Sequence, residues 1–169
     1  MIINKKNFAF FAFVLTALTV AVLLSAGCRN GGKTEISELA GGKAYNDDGS
    51  VIVPKGYILF EVHGKDGDII IEDVCVKYKA NLSVADLSKA VCRELNIPFA
   101  LSGAGMMMYV QGINNLFEFD YGSESGWLYS VGGEFQNVSC GSYTVKDGDY
   151  VEWYYTLDFG KDVGAYKLD

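Results

Sequence analysis

SVADLSKAVCREL, Ser83 to Leu95, is the stretch of this 169-residue chain that best fits a helix of a folded domain. Ser83 is an N-cap candidate, with Asp86 three residues on at the capping-box position. Leu82 and Leu87 have the spacing of a hydrophobic staple. Val84, Leu87, Val91 and Leu95 recur at helical spacing, with Cys92 at the edge of the stripe. Asn96 and Pro98 stop the pattern. One amphipathic helix must bury its stripe against something, and the flanks supply only strands.

Before the helix, Tyr57-Ile58-Leu59-Phe60-Glu61-Val62 is β-branched and aromatic and reads as a strand. Lys65-Asp66-Gly67-Asp68 is a turn. Ile69 to Tyr78 follows as one strand or a broken pair, with Val74, Val76 and Tyr78 on one face and Cys75 and Lys77 on the other. After the helix, Met106 to Val110 and Leu116 to Phe119 are short strand candidates. Trp127, Tyr129 and Val131 alternate with Leu128 and Ser130 and run into Gly132-Gly133, a two-residue hairpin turn. Lys146-Asp147-Gly148-Asp149 repeats the earlier turn and launches Tyr150 to Leu157, where Val151, Trp153, Tyr155 and Leu157 share a face. Strands, one helix and more strands make an α+β domain, small and β-rich, with the helix on one side of the sheet; a β-grasp-like arrangement is expected.

The first residues concern address rather than fold. Lys5 and Lys6 precede an apolar run from Phe8 to Leu24, then Ser25-Ala26-Gly27-Cys28. A basic start, an apolar middle and a small-residue end make a secretory signal. Cys28 directly after Ala-Gly resembles the lipobox of bacterial lipoproteins, where that Cys carries the lipid; Ser25 stands where Leu is usual. The expected organisation is a signal peptide at 1–27, a flexible Gly/Asn/Asp/Lys-rich tether at 28–56 and one domain at 57–169. Lipidation at Cys28 would hold the protein on the extracellular face of the cell membrane.

Charge and composition exclude some functions. With 14 basic and 21 acidic residues the net charge is −7, and loss of residues 1–27 would remove only lysines. Such a surface repels polyphosphate, so nucleic acid is not an expected partner. Cys75, Cys92 and Cys140 are an odd set without a CxxC pair, so at most one disulfide forms within the chain; the other reading is buried small apolar groups. His63 is the lone histidine and belongs to no HxxxH or HxH pair. Asp47-Asp48, Asp66-Gly67-Asp68 and Glu72-Asp73 could offer oxygens to calcium but lack EF-hand spacing. Met106 to Met108 with Cys140 are soft donors, yet consecutive strand residues point to opposite faces. No nucleophile–base frame or phosphate-cradling loop is present, and the expectation is no enzyme and no metal site. Tyr150, Glu152 and Tyr154, opposite Trp153, read as an open surface.

SGWLYSVGGEF (Ser125 to Phe135) and YTVKDGDYVEWYYTLDFGKDVG (Tyr143 to Gly164) resemble the transcobalamin-like C-terminal domain family of bacterial surface proteins. The helix fits more loosely. The resemblance implies a small β-rich domain related to the one that closes over one side of the corrin in animal cobalamin carriers. Gly132-Gly133 replaces the family's common Asn-Gly turn, and the chain has no room for the helical barrel that holds the other side. The implied ligand is cobalamin or a related corrinoid, held by half the clamp or with a partner protein. Trp127, Tyr129, Tyr121 and Phe135 would supply aromatic walls, and Ser125 and Ser130 hydroxyls at the rim. The alternatives are a surface module docking protein or glycan, and a metal-binding surface protein.

Overall fold

A computed structural model describes residues 36–38 and 43–166; the signal peptide and Cys28 lie outside the described residues. The helix forms where its spacing placed it, as α1, Val84–Glu94. Ser83 Oγ accepts from the Asp86 amide at 3.1 Å and donates to the Asp86 carboxylate at 2.7 Å. At the other end Asn96 takes φ +58°. The Ile97 amide then bonds Cys92 O and the Asn96 amide bonds Arg93 O, a Schellman cap that satisfies two orphan carbonyls. Val84, Leu87 and Val91 are buried, whereas Leu95, expected on the same stripe, is 39% exposed because the cap lifts the chain away there.

The strands around it are β1 (Ile36–Glu38), β2 (Ala44–Tyr45), β3 (Val51–Ile52), β4 (Tyr57–His63), β5 (Ile69–Lys77), β6 (Phe99–Ser102), β7 (Tyr109–Ile113), β8 (Leu116–Phe117), β9 (Gly126–Val131), β10 (Glu134–Phe135) and β11 (Tyr150–Thr156). Six make the main sheet, in the order β1-β5-β4-β11-β9-β10. The two central strands, β4 and β11, pair in parallel, and every other pairing in the sheet is antiparallel. First and last long strands side by side, hairpins outside them and one helix across a face make the α+β, β-grasp-like arrangement expected. Strands β6, β7 and β8 form a second small sheet.

The core lies between α1 and one face of the main sheet. Ile58, Phe60, Val62, Val74, Val76, Tyr129, Val151 and Trp153 meet Val84, Leu87 and Val91 there. Trp153 Nε1 donates to Ser88 Oγ at 2.8 Å, and that hydroxyl donates to Val84 O at 2.7 Å, so the buried indole N–H ties sheet to helix. Cys75, Cys92 and Cys140 are buried and free, the bridge-less reading of the three.

Some local expectations gave way. Gly105–Met107 is a 3-10 turn, not strand, and leaves Met106 and Met107 exposed. Strand β8 stops at Phe117 because Asp120 accepts from the Phe117 amide and Phe119 turns to φ +68°. Strand β6 had no sequence signal beyond Phe-Ala-Leu. The segment read as a tether contains β1, paired with β5, and the β2–β3 pair. Val51 and Val53 pack on Leu59, Cys75 and Tyr150, which gives this polar stretch an apolar footing on the second face of the sheet.

Candidate functional site

That second face carries the polar interior. Alternation along a strand sends Leu59, Glu61 and His63 of β4 away from the helix, and likewise Tyr150, Glu152 and Tyr154 of β11. Parallel register sets Glu61 beside Glu152 and His63 beside Tyr154. The two glutamates therefore sit in the middle of the two central strands, 1% and 6% exposed.

Each carboxylate is held by donors. Tyr150 Oη donates to Glu61 Oε2 at 2.6 Å, and Lys43 Nζ reaches Glu61 Oε1 at 2.7 Å from the residue before β2. Ser130 Oγ donates to Glu152 Oε2 at 3.0 Å and Tyr154 Oη to Glu152 Oε1 at 2.6 Å. His63 stacks on Tyr154 with ring centroids 4.7 Å apart. Its Nε2 lies 3.2 Å from Glu61 Oε2 and 3.6 Å from Glu152 Oε1, yet it is buried without an aligned hydrogen bond. The attraction is that of opposite charges at close range. A cavity of about 380 Å³ opens beside His63 and Tyr154, lined also by Asp66, Tyr155 and Asp162.

Opposite Glu61, strand β5 bulges. Phe60 pairs with Val74 and Val62 with Ile71, so Glu72 and Asp73 together face one residue. Asp73 takes φ +49°, an uncommon conformation for a non-glycine residue, and its amide points at Glu61 Oε1, 3.3 Å away. Backbone strain of this kind collects at functional sites.

These contacts set the ionisation. Burial would raise the Glu61 carboxyl, but His63, Asp73, Lys43 and Tyr150 win and hold it well below the usual carboxylate range. Burial opposes ionisation of Glu152 too, and the attraction of His63 with donation from Tyr154, Tyr150 and Ser130 wins. The carboxylates of Glu152 and then Glu61 hold the His63 imidazole up at about 9. Burial, followed by Glu61, pushes Asp73 up to about 6. Two carboxylates and an imidazole thus face one another at close range, with Lys43, Tyr150, Ser130 and Tyr154 donating to the carboxylate oxygens. Glu61, His63 and Glu152 each offer one donor atom, and the three lie within 4.8 Å of one another.

The residues singled out in the sequence fall into separate groups: Tyr121, Ser125 and Trp127 meet at Tyr155, Tyr129 packs on Trp153, and Ser130 and Phe135 lie on the other face at Glu152 and Tyr154. Trp127 and Tyr129 point to the helix side, where Trp127 packs on Tyr155 at 5.2 Å and Tyr129 on Trp153 at 5.3 Å. Tyr129 Oη donates to Val138 O, and Trp127 Nε1 to Leu116 O. Ser125 is buried and accepts from Tyr155 Oη at 3.0 Å. Ser130 faces the other way and holds Glu152, while Phe135 packs on Tyr154. Tyr121 is 56% exposed, edge-on to Tyr155 at 6.2 Å, and its amide donates to Ser125 Oγ at 3.2 Å. Tyr150 and Glu152, read as open surface, are buried: Lys43, Val51 and Val53 pack on Tyr150, and Ser130, Tyr154 and His63 surround Glu152. Sequence reasoning passed over the Glu61–His63–Glu152 set, although a signal was present. Glu61 interrupts the run Tyr57–His63, Glu152 interrupts Tyr150–Thr156, and Glu61-Val62-His63 puts an acid and an imidazole on one strand face.

Among known proteins, residues 87–157 match a family model described as a domain of unknown function, DUF4430. The match takes in Ser130, Tyr150 and Glu152 and leaves out Glu61 and His63. No curated protein matches the sequence. A solved structure of a proposed metal binding protein from Ruminococcus gnavus ATCC 29149 is similar at 18% identity and a TM-score of 0.46, over 60% of this chain and 97% of that one.

Proposed function

We propose that this chain is a non-catalytic ligand-binding protein, anchored by a lipid on Cys28 at the extracellular face of the cell membrane. Its small ligand enters the cavity beside His63 and meets the Glu61–His63–Glu152 cluster. The observation that carries this reading is the burial of two glutamate carboxylates, with a histidine between them, at matched positions of the central strands. A fold gains little from such groups: exchanging a buried ion pair for apolar side chains is often neutral or stabilising by about 1–4 kcal/mol. A ligand that needs charge at that spot gives them a purpose. The test is thermal unfolding of the full chain in detergent with a panel of divalent cations, organic cations and corrinoids. At least one should raise the melting temperature, as a ligand of the native state must, and Glu152→Gln should lose that response. A flat response across the panel, or an equal response in the variant, refutes the reading.

Cobalamin, implied by the family resemblance, is a second reading favoured by a different place. Phe117, Phe119 and Tyr121 are 42%, 61% and 56% exposed around the loop that leads into β9. A flat apolar ligand could stack there, with a partner protein covering its other face. Titration with cyanocobalamin should then show a spectral change that Tyr121→Ala weakens; unchanged spectra at about millimolar ligand remove it. The anchor is checked separately: a fatty-acid analogue should label the wild-type chain in cells and not Cys28→Ala.

A further inference from the structure

We infer that Glu61 Oε2, His63 Nε2 and Glu152 Oε1 form a three-ligand site for a divalent first-row transition cation, of which Zn²⁺ is the simplest member. This rests on the reading that the cluster is a ligand site, and names the ligand class.

Spacing is the first argument. Oxygen and nitrogen ligands sit about 2.0–2.2 Å from such a cation, which in a tetrahedron separates them by about 3.3–3.6 Å. Nε2 lies 3.2 Å and 3.6 Å from the two oxygens, two of the three edges, and all three donor atoms fall within 4.8 Å of one another. Donor type is the second. One imidazole and two carboxylates suit Zn²⁺ and its neighbours, whereas Ca²⁺ requires six to eight oxygens and Cu⁺ prefers sulfur. The position of Nε2 is the third: it lies between two carboxylate oxygens without an aligned hydrogen bond, and a cation bound there takes the place of the proton on Nε2, which is released to solvent.

The surroundings are those of a held site. Lys43 and Tyr150 orient Glu61, and Ser130 and Tyr154 orient Glu152, as partners of metal-bound carboxylates do. Tyr154 stacks on the imidazole and fixes its plane. The cavity at His63 offers an entry path and room for a water or an outer ligand to complete the coordination. Rigidity comes from the frame: the ligands stand on the two central strands, in register, rather than on loops.

The experiment uses the full chain in detergent, stripped with a chelator, then titrated with Co²⁺ and followed by visible absorption. A four-coordinate Co²⁺ site gives intense d–d bands, and Zn²⁺ added afterwards should bleach them while Mg²⁺ and Ca²⁺ should not. His63→Ala and Glu152→Gln should weaken binding about 100-fold or more, and Tyr154→Phe, which removes only an outer hydrogen bond, about tenfold. Circular dichroism on each variant checks the fold, and Asp48→Asn, an acid outside the cluster, should bind as the wild type. Absence of bands together with absence of Zn²⁺ heat in calorimetry overturns the metal assignment. If an organic cation or corrinoid still raises the melting temperature in a Glu152-dependent way, the ligand-site reading survives that failure. Metal binding that His63→Ala and Glu152→Gln leave unchanged lies elsewhere and overturns the assignment too.

Discussion

His63 and its carboxylates make metal-free stability depend on pH. The imidazole pKa rises from an ordinary value near 6.5 to about 9, through Glu152 first and Glu61 second. A raised folded value means the stabilisation is complete below pH 6.5, where both folded and unfolded forms carry the proton. It is lost as pH rises through 9, where the folded form gives its proton up. The full shift corresponds to about 3 kcal/mol, an upper figure because one side of the ring faces the cavity. Unfolding by urea in the presence of a chelator should therefore show a stability that falls between pH 6.5 and 9, and His63→Gln should flatten that slope. Asp73, pushed up to about 6 mainly by burial, acts in a lower window: its contribution is lost between pH 4 and 6. A wild-type curve level from pH 6.5 to 9 would show that the imidazole is not held by the two carboxylates.

At the scale of elements, the β9–β10 hairpin separates turn chemistry from packing. Gly132 and Gly133 take φ +61° and +81°, as a type I′ turn requires, and a Cβ on either would meet nothing within 4 Å. Any cost of substitution is therefore conformational. Gly133→Ala should destabilise by about 1–2 kcal/mol, whereas Gly132→Asn, a residue that accepts this conformation, should cost a few tenths; equal melting temperatures for both would contradict the turn assignment. The helix–sheet tie is a second case. Trp153→Phe breaks one buried hydrogen bond and Ser88→Ala that bond and the one to Val84 O, so each should cost about 1–2 kcal/mol and the double variant about 1 kcal/mol less than their sum. Strict additivity would mean the 2.8 Å contact carries no energy. These elements were legible because their signals are local: cap, staple and stripe for α1, alternation and a Gly-Gly turn for β9 and β10. Strand β6 and the turn at Met106 depend on contacts from residues further along the chain, and the early stop of β8 on an Asp120 side-chain bond that no periodicity marks. The candidate site was half legible. Glu61 and His63 share a strand face by spacing alone, but nothing local says that Glu152, 91 positions on by residue number, lies in register beside them. For Trp127 and Tyr129 of β9 alternation allows core packing as well as the binding wall that the family resemblance implies, because it cannot say which face meets the helix.

Across the whole molecule, the same parallel pair closes the domain and builds the site. Joining β4 to β11 closes a loop containing α1 and the second sheet, so the centre forms only when the chain as a whole folds. Its backbone amides are flanked by strands on both sides and by α1 on one face. The β2–β3 pair is different. It has two residues in each strand, Tyr45 is 58% exposed, and its footing on the main sheet is Val51 and Val53. Few apolar contacts and an exposed ladder mark a segment that opens locally. Native-state hydrogen exchange should therefore find the slowest amides in β4 and β11, exchanging at the global unfolding free energy, and much faster exchange from residue 44 to 53. This difference bears on access. Lys43 Nζ, 2.7 Å from Glu61 Oε1, precedes β2 directly, so local opening of that segment withdraws the ammonium from the buried carboxylate without unfolding the sheet that positions Glu61, His63 and Glu152. Saturating Zn²⁺ should leave β4 and β11 the most protected strands and raise their exchange free energy, since a ligand of the native state stabilises all of it. Exchange in residues 44 to 53 as slow as in β11, with or without metal, would show instead that the covering segment is fixed and that entry runs through the cavity beside His63 alone.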